Sequence, residues 1–308
     1  MMAAVFERIA ILGAGLIGSS IAQAARENSA AGGVTLFDTD PDVRQRAREL
    51  GLGEVCDTAA DAARNADMVV LAAPVGAMAS AFAAAAPALK YGAIVTDVGS
   101  VKRAVIEAVQ PLMPPHAFLI PGHPIAGTER SGPDAGFATL FHNRWHILTP
   151  LADDRAEYAA AVTRLEQFWR ALGANVERMD AERHDVVLAV TSHLPHLIAF
   201  NIVAMAEDLE SVTESEVVKY SASGFRDFTR IAASDPTMWR DVFLNNKDAV
   251  LEVLGRFSED LAALQRAIRW SEGDALYALF ERARRMRREV IEAGQDTPEP
   301  NFGRDEPS

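Results

Sequence analysis

The stretch Thr191–Phe200 reads TSHLPHLIAF and sets His193 and His196 three residues apart around Pro195, inside an apolar run. Two imidazoles one helical turn apart are a possible zinc pair. The HExxH pattern fails, since no glutamate follows His193, and the single cysteine, Cys56, cannot build a thiolate cluster, so we expect no metal. Three more segments are richer in polar groups than a plain turn requires. TDVGSVK carries Asp97, Gly99, Ser100 and Lys102; PGHPIAGTERSG carries His123, Thr128 and Glu129; GFRDFTRIAASDPTMW carries Arg226, Asp227 and Arg230 among aromatic residues. Each has a plain alternative. Ser100 is placed for a ligand contact or for a helix N-cap, and the two roles can coexist. His123 lies in a glycine- and proline-rich loop where a solvated turn histidine is common. Arg226 and Arg230, four apart, can bridge acidic neighbours on a helix surface.

A fourth constellation binds rather than reacts. IAILGAGLIGSSIAQAARE has Gly13, Gly15 and Gly18 in GxGxxG spacing, between a strand-like run and a helical one, with Leu16 and Ile17 opening the helix. That context is what a dinucleotide fingerprint needs: a tight turn, a close backbone approach to pyrophosphate, and a helix N-terminus aimed at the anion. Asp38, closing VTLFD, stands where a carboxylate would take the ribose hydroxyls. A carboxylate there repels a 2′-phosphate, which favours NAD over NADP, although Arg44 lies nearby.

The elements that must position these groups follow from hydrophobic period. RIAILG, VTLFD, MVVLAA, AIVTDV and AFLIPGH are short β-branched runs that alternate with helical patterns, the mark of a mostly parallel sheet covered by helices. WHILTP and NVERM add strands on either side of the helix DDRAEYAAAVTRLEQFWRAL. We therefore expect an α/β, Rossmann-type doubly wound domain over residues 1–180. After about Asp180 the strand-like runs thin out and long helical periods take over, predicting an all-α C-terminal domain over 181–293. An N-cap is expected at Ser234 or Asp235, and the polar, proline-rich tail 294–308 has the composition of a disordered segment.

Composition narrows the partners. With 43 acidic and 30 basic residues the formal charge is −13, which disfavours a nucleic-acid binder or an anionic membrane surface. A lone cysteine fits a reducing compartment, and no signal peptide precedes the first strand-like run. Met68–Leu89 is uncharged over a span that could cross a bilayer, but Pro74, Gly76 and Pro87 break it into a strand, a turn and an alanine-rich helix. The expected location is the cytoplasm.

Taken together, GAGLIGSS, VTDVGSVK, GHPIAGTE, SHLPH and GFRDFTRIAASDPTMWRD resemble the prephenate/arogenate (cyclohexadienyl) dehydrogenase family of tyrosine biosynthesis, from about Arg8 to about Val290. The resemblance implies a Rossmann domain joined to a helical domain that forms a homodimer, and NAD-dependent oxidative decarboxylation of prephenate or arogenate. It implies that His123 accepts the proton of the ring hydroxyl, with Ser100 beside that hydroxyl and the nicotinamide. Arg230 grips the ring carboxylate. His193 and His196 line the substrate chamber, Thr128 and Glu129 flank the side-chain pocket, and Trp239 stands beside it. Where some relatives carry lysine this chain has Arg226. L-Tyrosine, sharing the product's side chain, is a plausible inhibitor. Whether Glu129 or Asp134 would favour the amine of arogenate is open in the sequence. Two rivals share the layout: a β-hydroxyacid dehydrogenase, which would need a catalytic lysine beyond residue 180 where only Lys219 and Lys247 occur, and a silent NAD-binding scaffold.

Overall fold

The computed structural model describes residues 4–213 and 222–292. Lys219 and the tail 294–308 lie outside the described residues.

Six short strands, β1 (Phe6–Leu12), β2 (Ala31–Phe37), β3 (Glu54–Val55), β4 (Met68–Leu71), β5 (Ile94–Asp97) and β6 (Phe118–Leu119), form one sheet in the order β3-β2-β1-β4-β5-β6. Every pair in it is parallel. That order reverses direction between β1 and β4, and ligands of open α/β sheets bind at such a switch point, outside the carboxyl ends of the strands. Alternate residues serve opposite faces. Ile9, Ile11, Met68 and Val70 join one buried cluster, with α1 (Leu16–Glu27) and α6 (Ala156–Ala171). Ala10, Leu12, Val69 and Leu71 join a second, with α3 (Ala59–Ala63), α4 (Met78–Ala85) and α5 (Lys102–Val109). Burial on both faces is why these strands read as continuous apolar runs. Met68–Leu89 divides as expected, into β4, a short 3-10 turn and α4.

The run AFLIPGH is not one strand. It splits at Ile120–Pro121 into β6 and β7 (Gly122–Pro124), and β7 belongs to a second sheet of three strands, β7-β8-β9, with β8 at Trp145–Leu148 and β9 at Asn175–Arg178. Proline lacks the amide that would continue the ladder. The break carries His123 away from the sheet edge and pairs it with Ile147 in an antiparallel register.

After β9 the described chain is helical, as expected: α7 (Ala181–Leu188), a π-helical turn (Ala189–His193), α8 (Leu194–Thr213), α9 (Ser223–Thr229), a 3-10 turn (Arg230–Ala233), α10 (Pro236–Asn245), α11 (Lys247–Arg269) and α12 (Gly273–Glu292). Asp235, not Ser234, caps α10, accepting from the Met238 amide at 2.7 Å. The described chain packs as two compact units that divide inside α11, between Leu251 and Glu252. The first holds both sheets, helices α1 to α10, with α2 at Pro41–Glu49, and the first residues of α11. The second holds the rest of α11 and α12, where Tyr277, Phe280 and Met286 are exposed.

Candidate active site

The three glycines of the first turn are each required for a different reason. Gly13 has φ +111, and a Cβ there would meet the Ala72 carbonyl at 2.5 Å. A Cβ at Gly18 would lie 2.0 Å from the Gly13 carbonyl oxygen, so α1 can approach β1 only without it. A Cβ at Gly15 would meet nothing within 4 Å, the open space that a closely approaching ligand would occupy. Gly15 is also the N-cap of α1, with no side-chain cap and no acidic residue in the first turn, so the positive end of the helix is bare. The Asp38 carboxylate closes the turn from β2, accepting from the Ala14 amide at 2.8 Å. Arg44 donates to the Asp38 and Thr39 carbonyls at 2.7 and 3.1 Å, so its guanidinium is engaged on the main chain beside that carboxylate. These residues fit a dinucleotide. Gly18→Ala should lower the melting temperature by several degrees, whereas Gly15→Ala, at φ −73, should leave it near the parent's yet weaken nucleotide binding on the order of tenfold or more. Equal melting losses in both variants, with unchanged nucleotide titrations, would remove Gly15 from the binding turn.

The loop after β7 is pinned over this helix. Phe137 donates its amide to Ser20 Oγ at 3.1 Å, Gln23 donates to the Gly136 carbonyl at 3.0 Å, and Arg46 of α2 (Pro41–Glu49) grips Asp134 through contacts of 2.5 to 3.0 Å. Asp134 therefore spends its charge on α2. Thr128 and Glu129 are exposed at the start of the loop.

His123 is buried, not a solvated turn residue, and its Nδ1 stands 2.9 Å from His184 Nε2. The second nitrogen of His184 is 2.8 Å from Asp185 Oδ1. A carboxylate only accepts, so His184 carries its hydrogen on Nδ1 and accepts at Nε2. His123 must then donate from Nδ1, which leaves its Nε2 with a lone pair, as a base requires. Asp185 is itself fixed by the Lys102 and Arg103 amides at 2.7 and 3.0 Å. Those bonds correct the expected N-cap: Ser100 does not cap α5, whose N-cap residue is Val101 without a side-chain bond, and the free amides are taken by Asp185 from α7.

Beneath this relay Lys102, wholly buried, bonds to Asp97 and donates to the Gly122 carbonyl at 2.5 Å, while Asp97 accepts from the Gly122 amide at 3.1 Å. The two side chains tie the end of β5 to the start of β7. Burial pushes the His123 imidazole well below its ordinary range, and the neighbouring His184 and the Lys102 ammonium push the same way.

The two histidines of SHLPH do not share one role. Pro195 has no amide for an α-helical bond, and the π turn at Ala189–His193 lies just before it, a distortion common at functional sites. His193 is wholly buried and its Nδ1 faces the Asn246 amide nitrogen at 3.1 Å. His196 is partly exposed, fixed by the Ser192 carbonyl at 2.9 Å, and stacked on Trp239 with ring centroids 3.7 Å apart. Trp239 also meets His193 edge-on at 6.1 Å. Arg230 lies close enough to His196 to disfavour its charged form, and its Nη1 pairs with Glu129 at 3.1 Å across to the loop after β7. A chain of contacts thus runs from His123 through His184, Asp185, Asn246, His193, Trp239 and His196 to Arg230 and Glu129. Ser100 lies beside it, its main chain next to His193. His184, Asp185 and Asn246 were not among the expected residues. The adjacent pair His184–Asp185 at the head of an apolar helical run was the one available signal. Among the described residues no group of three or more His, Cys, Asp or Glu side chains is placed to hold a metal ion.

One buried histidine stands apart from the relay. His146 is stacked on Trp169 at 3.7 Å with neither ring nitrogen bonded, and burial depresses it well below 6.5. His123, His184 and His193 are depressed as well, burial being the leading cause. Unfolded histidines take up protons below about pH 6.5 and these folded ones do not, so stability is full above that pH and falls as acid is added. Each contributes a loss of up to about 2 kcal/mol by pH 5. His146→Phe keeps the stack and should remove about that much of the difference between denaturant unfolding at pH 7 and pH 5. An unchanged difference would mean that His146 is protonated in the native state.

The chain is similar to proteins of known activity. Residues 21–178 match the model for the prephenate dehydrogenase nucleotide-binding domain, and residues 180–282 match that for the prephenate dehydrogenase dimerization domain. The chain is 46% identical over 284 residues to a cyclohexadienyl dehydrogenase of Zymomonas mobilis, covering 92% of this chain and 96% of that protein. It is 31% identical to the prephenate dehydrogenase of Bacillus subtilis, over 91% of this chain and 75% of the other. The solved prephenate dehydrogenase of A. aeolicus, in complex with hydroxyphenyl propionate and NAD+, superposes with a TM-score of 0.83 at 33% identity, covering 92% of this chain and 98% of its own. An arogenate dehydrogenase of Synechocystis gives 0.75 at 26% identity, over 92% and 99% of the two chains. Since the two matched models between them take in residues 21–178 and 180–282, well over half of the chain, the chain belongs to the prephenate dehydrogenase family.

Proposed function

We propose that this protein oxidatively decarboxylates a cyclohexadienol, prephenate or arogenate, with NAD as the oxidant. The observation that carries the proposal is the orientation of His123: the His184–Asp185 relay leaves a lone pair on its Nε2. Gly13, Gly15, Leu16, Ile17 and Gly18 would hold the pyrophosphate at the bare end of α1, and Asp38 the adenosine ribose. The Asp38 carboxylate favours NAD over NADP, and Arg44 does not offset it, being bonded to main-chain carbonyls. A bound nicotinamide supplies an acceptor for the hydrogen, with its electron pair, that leaves the carbinol carbon.

His123 takes the hydroxyl proton at Nε2, holds it as the ring loses carbon dioxide, and returns it to the same oxygen in the aromatic product. A neutral imidazole is available for this at pH 7 because burial depresses its proton affinity. Ser100 stands at the hydroxyl end. Arg230 takes the ring carboxylate, since a planar guanidinium offers it two parallel hydrogen bonds. His196, Trp239, Thr128 and Glu129 form the wall toward the side chain of the substrate.

The protein acts as a homodimer in the cytoplasm. The matched dimerization model supports the dimer, as do Val186, Val190, Val203 and Met205, apolar and exposed on α7 to α8, a stretch whose length and hydropathy would otherwise suit a membrane. The lone Cys56 supports the compartment. L-Tyrosine competes for the side-chain wall. Steady-state kinetics with both substrates and both nicotinamide cofactors, reading reduced cofactor and carbon dioxide together, test the proposal. Equal yields of the two with NAD are expected. Reduced cofactor without carbon dioxide would point instead to a simple alcohol dehydrogenase, and no turnover with either substrate would overturn the proposal.

A further inference from the structure

Asn246, the residue after α10, is 6% exposed and makes two bonds through one nitrogen. Its Nδ2 donates to the Asp185 carbonyl at 2.9 Å and lies 3.1 Å from His193 Nδ1. The first bond fixes the amide: a carbonyl oxygen only accepts, so the atom facing it must be the NH2 nitrogen, and the flipped amide would set two acceptors against each other. The same NH2 then faces His193 Nδ1, which must accept. His193 is wholly buried and burial holds it down to about 4, so it is neutral near pH 7. A neutral imidazole that accepts at Nδ1 carries its hydrogen on Nε2. Among the described residues Nε2, though buried, makes no hydrogen bond of normal geometry, and the Ser100 main chain beside it acts as a weak acceptor that favours a proton on the ring.

A buried donor left without a well-formed hydrogen bond costs up to about 1–3 kcal/mol and is rare in a settled core. We propose that Asn246 is a positioning residue that holds His193 in the Nε2–H tautomer, so that the site presents a neutral donor to the substrate oxygen beside Ser100. The tautomer follows from the protein alone; the identity of the oxygen rests on the dehydrogenase proposal above. The chemistry gives the donor a purpose. When the bond to carbon dioxide breaks, its electron pair passes through the ring onto the former carbinol oxygen, and a fixed N–H there stabilises charge that develops late. A second imidazole with a lone pair at that place would repel the same oxygen.

Histidine-selective 15N NMR of the full chain tests the tautomer without turnover, His193 being assigned from the signals lost in His193→Gln. A pyridine-type Nδ1 and a pyrrole-type Nε2 are expected. The reverse pattern, or an averaged one, overturns the assignment whatever the activity proves to be. Kinetics test its use. Asn246→Ala should lower kcat by about 10- to 100-fold in the parent, because both tautomers then populate and the donor is lost. Glutamine at 193 carries a fixed NH2 near the place of Nε2 and has no tautomers, so Asn246→Ala made in His193→Gln should cost less than about threefold further. Equal losses in both backgrounds would make Asn246 a packing residue and overturn the proposal.

Discussion

Asparagine in place of His123 is expected to lower kcat by about 10²–10⁴ while the substrate KM stays within a few-fold of the parent's. The asparagine NH2 can stand where Nδ1 stands and still donate to His184 Nε2, so the relay and the capping of α5 by Asp185 persist. What disappears is the lone pair on Nε2. The hydroxyl proton then has no acceptor in place, and the loss appears in turnover rather than in binding. The pH profile gives a second readout with a defined sign. His123 works neutral and its proton affinity is depressed by burial, with His184 and Lys102 reinforcing it. The rate should therefore be flat near neutrality and fall on the acid side at a pH well below 6.5, not at it. In the asparagine variant that acid limb should vanish. Near-parental turnover in the variant would remove His123 from the reaction.

How much of this was legible in the sequence depended on how far apart the partners lie along the chain. The glycine turn was legible because its reasons are local: Gly13, Gly15 and Gly18 act within one strand–turn–helix unit, and Asp38 closes the next strand. The parallel sheet was legible because strands buried on both faces leave unbroken apolar runs. Asp235 and Ser234 were equally good caps on paper, and the backbone chose the one directly before Pro236. The relay was not legible. His123 meets His184 across 61 positions, and Lys102 meets Asp185 across 83, and no local pattern announces either bond. The cap of α5 shows why such misses occur. Ser100 has the right side chain at nearly the right place, yet a carboxylate arriving from another helix takes two of the free amides and is more strongly held than a hydroxyl would be. The small sheet was hidden in the same way: AFLIPGH reads as one strand until Pro121 is asked for an amide it lacks.

Arginine 230 should show the opposite kinetic signature. Arg230→Ala is expected to raise the substrate KM by about 30- to 1000-fold, equivalent to about 2–4 kcal/mol, the usual cost of removing one partner of a hydrogen-bonded charge pair. The side chain is suited to capture. Among the described residues its buried Nε has no hydrogen-bond partner, its Nη1 is 3.1 Å from Glu129, and the side chain is 39% exposed, so one edge of the fork is open. On a chain of net charge −13, an anionic substrate has little else to draw it in. The same reasoning fixes what happens to kcat. The carboxylate that the arginine holds is the group that departs as neutral carbon dioxide, so its charge is fullest in the bound substrate and disperses toward the transition state. A guanidinium pairing with that charge stabilises the ground state at least as much as the transition state, and its removal should leave kcat unchanged or slightly raised. Arg230→Lys, which keeps the charge and loses the fork, should fall between parent and alanine in KM. A fall in kcat of the alanine variant with KM unchanged would show that Arg230 acts on the reacting atoms and does not clamp the carboxylate.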